Sequence, residues 1–372
     1  MTDFRKFLEN QPVTASAPCR VDMGGTLDIA TFCYPLCRYS PATVNIALDL
    51  RTSVRLLACR RRVVRVSSTG FAPAEFPPEQ APLDHPLGLI FAVALYFGLE
   101  GVEIQIDSHS PVRSALGGSS VAMVALIGAL AKIAEAGGEG RMSRKEVALL
   151  AHGLESAVAR VPCGIQDQLA AAFGGVNLWH WKKRIHSVDY RREVLVKSGN
   201  YGRLEKRLLV AYAGEPHESK DVNGQWVDRF LAGRDRKRWI RIVDLVHRFS
   251  ESLRRMDIRT AGRLMKQETA IRLEMTPDVL DDIGRRLVSA AAQLGCGARF
   301  AGAGGGGCLW ALGGRDDMEK LHRVWREILS TRRTARLLEV RVDSHGLLCQ
   351  IDPDIKSLPR TVSTPNGQRT EK

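Results

Sequence analysis

The sequence predicts a folded protein of two closely packed domains that contain both helices and strands. Its 372 residues exceed what one hydrophobic core usually serves. Hydrophobic residues make up 44% and charged residues 26% of the chain, which is the balance of a globular protein. Segments with the alternation of strands and segments with the spacing of helices follow one another. We expect the domain boundary near residues 197–205.

A strand, a glycine-containing loop and a helix follow directly upon one another in the first half. Val102, Ile104 and Ile106 alternate with polar neighbours and predict the strand. The apolar residues 121–135 predict a long helix after the loop. Residues 147–158 contain a further helical pattern, and a short helix is predicted over residues 166–172.

The helix after residue 143 has clear sequence limits. Ser143 and Glu146 have the spacing of a capping box, and we expect Pro162 to end the helix. The shorter helix that follows is expected to end at Gly174 and Gly175.

The second half combines strands with a run of helices. Residues 207–212 predict a buried strand, residues 237–294 several helices, and residues 308–312 and 338–342 two more strands. Residues 356–372 are rich in Pro, Ser, Thr, Asn and Lys and predict a disordered tail.

The basic composition favours anionic partners. Lysine and arginine number 54 against 41 acidic residues, a formal net charge of +13, which attracts phosphorylated molecules, nucleic acid or anionic lipid alike. The basic residues form short scattered groups without interleaved aromatic residues or a recognisable nucleic-acid module. We therefore expect no nucleic-acid partner.

No segment is predicted to direct the chain to a membrane or out of the cell. Residues 1–10 lack the apolar core of a signal peptide, and the apolar residues 121–134, interrupted by Lys132, are too few to span a bilayer. The eight cysteines show no paired metal-binding spacing and are expected to be reduced thiols. We expect a cytoplasmic protein without a membrane partner, either monomer or homodimer.

A loop of small residues before the long helix carries the first chemical signal. Residues 111–120 read Pro-Val-Arg-Ser-Ala-Leu-Gly-Gly-Ser-Ser. Small residues let the backbone approach a ligand, and free N–H groups at a helix start attract phosphate. No Gly-Lys-Ser/Thr follows, so this is not a Walker A loop. Taken alone, the loop is more often a tight turn than a nucleotide site.

Two other glycine segments have ordinary explanations when each is read alone. Residues 302–307 read Gly-Ala-Gly-Gly-Gly-Gly and lead into an apolar strand, so close backbone packing explains them. A strand near the N-terminus ends at Gly24 and Gly25, with Arg20 and Asp28 on either side. A turn with a surface ion pair explains this second segment equally well.

Together and in this order, the segments resemble the three motifs of the GHMP kinase family. The Arg20 segment is similar to motif 1, residues 111–120 to motif 2 and residues 302–307 to motif 3. Gly-Ile-Gln-Asp-Gln at residues 164–168 is similar to the catalytic-Asp segment of the galactokinase and heptose-kinase branches. The resemblance runs from residue 18 to about residue 351, and bacterial heptose 7-phosphate kinases and fucokinases share most of it.

The resemblance implies an α+β fold of two domains with nucleotide and sugar in the cleft between them. Residues 1–200 would form a domain like domain 2 of ribosomal protein S5, with the ATP-binding loop and the catalytic Asp. Residues 201–355 would form a ferredoxin-like domain that carries motif 3. The implied activity is ATP- and Mg²⁺-dependent transfer of the γ-phosphoryl group to a hydroxyl, preferably the anomeric one, of a sugar or a sugar phosphate such as a heptose 7-phosphate.

The resemblance also implies the roles of individual residues. Asp167 would orient and deprotonate the attacking hydroxyl, and Arg20 would keep it ionised. Glu155 and Ser119 would hold Mg²⁺. The nucleotide phosphates would lie against Pro111, Ser114, Leu116, Gly117, Gly118, Ser119 and Ser120. The acceptor would bind to Asp28, Gly164, Gly304 and Gly305.

Structural explanations exist for two of these residues. A carboxylate at Asp167 also stabilises the first turn of a helix, and Ser119 also suits a helix N-cap.

The sequence departs from the family pattern in two motifs. The interval from Arg20 to Asp28 is one residue shorter than usual, so this loop must be rebuilt. In motif 2, Arg113 and Ala115 stand where glycines are usual. A side chain at positive φ costs about 1 kcal/mol or more, although the Arg113 guanidinium is also suited to bind phosphate.

Two alternatives to an active sugar kinase remain open. One is a family kinase for a non-sugar alcohol such as a mevalonate-like substrate, and the other is a catalytically silent relative that binds sugar and regulates. The Arg20 and Asp167 combination resembles the sugar branch rather than the Lys/Asp arrangement of mevalonate-type kinases. The altered motif 2 is the feature that favours a silent relative.

Overall fold

Two β-sheets flanked by helices form the protein. The computed structural model describes residues 2–159, 162–183, 188–215 and 222–352, and these residues form one eight-stranded and one four-stranded sheet. The strands are β1 Val13–Met23, β2 Ala42–Ala58, β3 Val64–Ser68, β4 Ala74–Phe76, β5 Val102–Ser108, β6 Val176–Lys183, β7 Val188–Val196, β8 Leu208–Tyr212, β9 Gly297–Phe300, β10 Cys308–Leu312, β11 Arg336–Leu338 and β12 Leu348–Ile351. The helices are α1 Phe4–Leu8, α2 Ala30–Cys33, α3 Gly88–Tyr96, α4 Gly118–Ala136, α5 Arg144–Val158, α6 Gln166–Phe173, α7 Tyr201–Glu205, α8 Val222–Leu231, α9 Arg236–Arg254, α10 Ile258–Met275, α11 Asp282–Gln293 and α12 Arg315–Leu329.

The larger sheet is organised around the long strand β2. Its main path runs β12-β1-β2-β5-β3-β4, and β6 pairs with β2 and with β7. The pairings are antiparallel except for β3 with β5, which is parallel. Helices α4 and α6 pack on β1 and β2, so the ends of these helices are fixed next to the end of β1.

Helix α4 is a core helix. It has 19 residues, and judged by length and composition alone it is the one helix in the described part of the chain that could cross a membrane. The structure buries 72% of that apolar window within the protein, including Val121, Leu126 and Leu130. The expectation that this segment is too short to span a bilayer was therefore wrong, and burial in the core accounts for its composition instead.

The smaller sheet has a ferredoxin-like topology. In chain order its elements are β8, the helices α8 to α11, the adjacent strands β9 and β10, helix α12 and strand β11. The spatial order β11-β8-β10-β9 with antiparallel pairing places the fourth strand beside the first. This is the βαββαβ pattern, and it confirms the ferredoxin-like domain.

Most of the predicted elements are present. The strand at residues 102–106, the long helix after motif 2, the capping box of Ser143 with Glu146, and the helix before Gly174 are confirmed. Helix α5 ends at Val158, before Pro162, because the backbone of Ala159 is already extended.

One prediction about the C-terminal part was wrong. The strand expected at residues 338–342 is instead β11, which ends at Leu338, and Val342 makes only an isolated bridge to Leu48. Strand β12 pairs with β1, so the end of the predicted second domain, residues 201–355, returns to the first sheet. The predicted tail, residues 356–372, lies outside the described residues.

Candidate active site

A cavity of about 640 Å³ brings the three motifs together. It lies at the meeting point of the end of β1, the N-termini of α4 and α6 and the loop before β10. Its lining includes these residues from the sequence-based assignment: Arg20, Asp28, Pro111, Ser114, Gly117, Gly118, Ser119, Ser120, Glu155, Gly164 and Asp167. The motifs that are far apart in sequence therefore form one site.

Arg20 and Asp167 form a two-point ion pair at the centre of this cavity. Arg20 Nε donates to Asp167 Oδ1 at 2.7 Å and Nη2 donates to Oδ2 at 2.9 Å. Burial opposes the charge on Arg20, but the carboxylates of Asp167 and Asp22 outweigh it and raise the arginine pKa. The Asp167 side chain keeps 20% of its surface exposed, so it is paired and still open to a ligand.

The motif 2 loop places a helix N-terminus against the cavity. Gly117 caps α4 in the left-handed conformation, with φ of 86°. A Cβ at this position would lie 3.0 Å from Asp167 Oδ2, so glycine lets the loop pass close to the ion pair. The first N–H groups of α4 have no intrahelical acceptor, and they suit an anion at this point.

Motif 2 is held in shape by backbone contacts. Arg20 N donates to Leu116 O at 3.2 Å, and Cys308 N donates to Ser114 O at 2.8 Å. Arg113 and Ala115 both have positive φ, 53° and 61°. The backbone is therefore strained at these two positions, where the family usually has glycine. The side chain of Leu116 is fully buried and does not line the cavity, so it packs beneath the loop.

Glu155 lies beside the start of α4. Ser120 Oγ donates to Glu155 Oε2 at 2.8 Å, and Gln168 Nε2 donates to the same oxygen. Burial raises the pKa of Glu155 to about 7, and hydrogen bonds from Ser120, Ser119 and Gln168 only partly offset this. The hydroxyl of Ser119 is thus next to the carboxylate with which it was expected to hold a metal.

The oxygen atoms of Ser119 and Glu155 fit Mg²⁺. Among the described residues there is no group of three or more His, Cys, Asp or Glu side chains able to hold a metal. Mg²⁺ bound together with a phosphorylated ligand usually takes only one or two carboxylates from the protein. One buried carboxylate and one hydroxyl next to a phosphate-binding helix end meet that requirement.

Asp28 also lines the cavity, next to the start of α6. It is 3% exposed, and its Oδ2 accepts from Gln166 N at 2.9 Å, while its Oδ1 has no hydrogen-bond partner. Burial raises the pKa of Asp28 to about 6 against the bond from Gln166. A Cβ on Gly164 would lie 1.8 Å from Asp28 Oδ2, so glycine is required here for the carboxylate to fit.

Motif 3 contributes its first residues to the cavity. Gly302 and Ala303 line it, whereas Gly304 and Gly305 do not. Gly304 N donates to Ala301 O and Gly305 N to Val279 O. The two glycines expected to bind the acceptor therefore brace the loop, and residues 302–303 face the site.

Several lining residues were missed by the motif analysis. One group is apolar and comes from unremarkable hydrophobic stretches, so no sequence signal distinguishes it from core. The other is polar and comes from positions between or beyond the motifs. The apolar members are Phe71, Leu87, Leu89, Ile90, Ile106, Val112 and Ala122, and the polar members include Thr26, Ser108, Ser110 and Asn223.

Comparisons with known proteins agree with this geometry. The chain matches the GHMP kinases N terminal domain over residues 87–175 and the GHMP kinases C terminal domain over residues 249–331. It is 25% identical to the mevalonate kinase of Pyrococcus furiosus over 332 residues, covering 81% of this chain and 89% of the relative.

Sugar kinases are similar to the chain as well. It is 23% identical over 310 residues to the D-glycero-alpha-D-manno-heptose 7-phosphate kinase of Campylobacter jejuni, covering 80% of this chain and 88% of the relative. A D-glycero-D-manno-heptose 1-phosphate kinase from Bacteroides thetaiotaomicron superposes with a TM-score of 0.68 at 16% identity, over 91% of this chain and 98% of that one. The chain carries the N-terminal and the C-terminal domain of the GHMP kinases, which are ATP-dependent phosphotransferases.

Proposed function

We propose that the protein is a Mg²⁺-dependent kinase that phosphorylates a hydroxyl of a sugar or sugar phosphate. The observation that carries this proposal is the buried Asp28 carboxylate, which lines the same cavity as the Arg20–Asp167 pair. Its unpartnered Oδ1 is an acceptor for hydrogen bonds, and a polyhydroxylated ligand is rich in donors. The anomeric hydroxyl is the proposed site of transfer.

The other end of the cavity suits the nucleotide. The apolar side chains of Phe71, Leu89 and Ile90 line it and offer a surface for a nucleobase. The phosphates would then extend towards the N-terminus of α4 between Gly117 and Ser119. This arrangement supports ATP as the phosphoryl donor with its terminal phosphate near Asp167.

Transfer between these ends needs orientation and charge neutralisation more than covalent help. Asp167 would accept the proton of the attacking hydroxyl, and Arg20 would keep that carboxylate oriented until the proton moves. Ser119 and Glu155 would hold Mg²⁺, which when bound neutralises charge on the nucleotide phosphates. The amides of the α4 N-terminus would stabilise the same phosphates.

A mevalonate-like acceptor is the second candidate, because relatives named mevalonate kinase match the chain at 24% to 27% identity, slightly above the 23% of the heptose 7-phosphate kinase. Mevalonate carries a carboxylate, which the ionised Asp28 would repel. Among the described lining residues, Arg20 and Arg113 are the cations, and Arg20 is already paired with Asp167. The charge of Asp28 therefore favours an acceptor that places neutral hydroxyls, rather than a carboxylate, against it.

An acceptor panel tests the proposal directly. We expect purified enzyme with ATP and Mg²⁺ to phosphorylate D-glycero-D-manno-heptose 7-phosphate or a neutral sugar such as D-galactose with a higher kcat/KM than mevalonate. Phosphorus NMR of the product identifies the hydroxyl that receives the phosphate. A clear preference for mevalonate would refute the sugar assignment. ATP hydrolysis without phosphorylation of any acceptor in the panel would refute a kinase of either kind. We further propose that this reaction takes place in the cytoplasm, as its ATP requirement and reduced thiols suggest.

A further inference from the structure

The loop that carries Asp28 has a strained conformation. Thr26 lines the cavity and is 5% exposed, and its φ is 76°, which is unfavourable for a β-branched residue. Gly24 before it also has positive φ, 75°. Strain of this kind persists only where surrounding contacts enforce it, so the contacts of this loop identify what holds it.

A buried arginine of the second domain provides those contacts. Arg272 on α10 has no exposed surface. Its Nη2 donates to Gly25 O at 2.8 Å, and its Nη1 donates to Thr26 Oγ1 at 3.1 Å. Its guanidinium also lies 4.6 Å from the ring centre of Trp226 and 4.5 Å from that of Trp239. Two tryptophan rings and two hydrogen bonds to the loop thus fix the position of Arg272, and its donors point to the strained residues.

The charge of Arg272 is balanced by a second buried pair that reaches the same loop. Glu268 Oε1 accepts from Arg272 Nε at 2.9 Å, and its Oε2 accepts from Arg299 Nε at 3.0 Å. Arg299 in turn lies 3.0 Å from the Asp22 carboxylate and donates to Asp22 O at 3.0 Å. Asp22 Oδ1 accepts from Gly302 N at 2.7 Å, at the cavity edge of motif 3.

We propose that Arg272 is a positioning residue for the acceptor: it holds the Gly24–Asp28 loop in the conformation that presents Thr26 and Asp28 to the substrate. The inference rests on the proposed function, since it assigns the Asp28 end to the acceptor. Arg272 touches no substrate and acts through the loop.

Arg272→Lys is the main test, because lysine keeps the buried charge but lacks the planar fork that reaches Glu268, Gly25 and Thr26 together. Thr26→Val is a second variant that removes the hydroxyl acceptor from the loop side and leaves every charge in place. Arg285→Lys is the matched control. Arg285, like Arg272, donates two hydrogen bonds to a neighbouring segment, here to Leu280 O and Pro277 O, but it does not contact the Gly24–Asp28 loop.

Hydrogen exchange gives a readout that does not depend on the acceptor's identity. The amides of Leu27 and Ile29 donate to Gly24 O and Thr26 O, so they report on the loop. We expect the Leu27 and Ile29 amides to exchange at least about tenfold faster in Arg272→Lys and in Thr26→Val than in the wild type. The amides of β2 in these two variants, and the Leu27 and Ile29 amides in Arg285→Lys, should exchange at the wild-type rate. Unchanged exchange of Leu27 and Ile29, or faster exchange spread evenly over the second domain, would overturn the proposal.

Steady-state kinetics gives the functional readout. With D-glycero-D-manno-heptose 7-phosphate or D-galactose, whichever the wild type uses, the acceptor KM should rise about tenfold in both variants and the ATP KM should stay within about twofold. An equal rise of both KM values would indicate general damage and refute a positioning role. If the wild type phosphorylates neither sugar, the proposed function fails, and the exchange of Leu27 and Ile29 still decides whether Arg272 holds the loop.

Discussion

The two ends of the cavity are held in place by different kinds of contact. At the nucleotide end, motif 2 is fixed largely by backbone hydrogen bonds, such as those to Leu116 O and Ser114 O. At the acceptor end, the loop before Asp28 is fixed by the side chain of Arg272, which lies 246 positions from Thr26 in sequence. Motif 2 is thus held largely by main-chain bonds from β1 and β10, whereas the loop before Asp28 is held by a charged side chain from α10. Substrate choice in this fold can therefore change through residues far from any motif.

The largest effect is expected where the two ends meet. Asp167→Asn removes the charge and proton acceptor but keeps the size of the side chain, so kcat should fall about 100-fold or more while ATP affinity changes little. Turnover assays and calorimetric ATP titration measure both quantities. Asp316→Asn, at an exposed acid in the first turn of α12, is the control for a helix-dipole role. Near-normal kcat in Asp167→Asn would remove Asp167 from the catalytic assignment.

The next change separates the nucleotide end from the acceptor end. Glu155→Gln keeps the contacts with Ser120 and Gln168 in reach but removes the negative charge proposed to bind Mg²⁺. The Mg²⁺ concentration for half-maximal activity should rise about tenfold or more, while the acceptor KM stays the same. Titration of activity with Mg²⁺ measures this. Glu135→Gln, on α4 but paired with Lys132, should respond like the wild type; an unchanged Mg²⁺ requirement in Glu155→Gln would contradict the metal assignment.

Asp28→Asn tests the acceptor end through both binding and stability. The folded-state pKa of Asp28 is about 6, above the ordinary value of 3.8, so its contribution to stability is complete below pH 4 and is lost as the pH rises through 6. Asn does not ionise, so the variant should be more stable than the wild type by about 1 to 3 kcal/mol at pH 7.5 and show little difference at pH 4.

The same variant should bind the acceptor less well. Loss of a charged hydrogen-bond acceptor predicts an acceptor KM about tenfold higher with the ATP KM unchanged. Denaturant unfolding at the two pH values and steady-state kinetics provide the measurements. A stability difference that is the same at pH 4 and pH 7.5 would show that Asp28 does not ionise in this range.

The smallest effects belong to the two positive-φ residues of motif 2, which form a matched pair. Ala115→Gly relieves strain only and should raise the free energy of unfolding by about 1 kcal/mol. Arg113→Gly relieves similar strain but also removes an exposed guanidinium from the cavity rim, so ATP affinity should fall about threefold. Unfolding curves and ATP titration of both variants separate strain from charge. Equal ATP affinity in the two variants would assign Arg113 to the loop's shape alone.

The sequence predicts the parts of the site that depend on local chemistry. The motif 2 loop and α4 follow from small residues and an apolar helix, and the capped α5 and short α6 bring Glu155 and Asp167 to the same place. The role of Arg272 leaves no such trace, because a charged residue within α10 has the pattern of a solvated helix face. Its burial arises from tertiary packing, in which Trp226, Trp239 and the Gly25–Thr26 loop surround it. The strand predicted near Val342 is absent for a related reason, since pairing there is limited to the single bridge with Leu48.

The pairing of β12 with β1 determines the order in which the protein can fold during its synthesis. Val13 pairs with Ile351, and Thr14 Oγ1 donates to Asp352, 338 positions away. Until residue 351 has left the ribosome, one edge of the first strand has no native partner, although the rest of its sheet is already available. An open strand edge invites pairing with other chains. This edge of β1 is therefore expected to stay exposed to non-native pairing until β12 covers it.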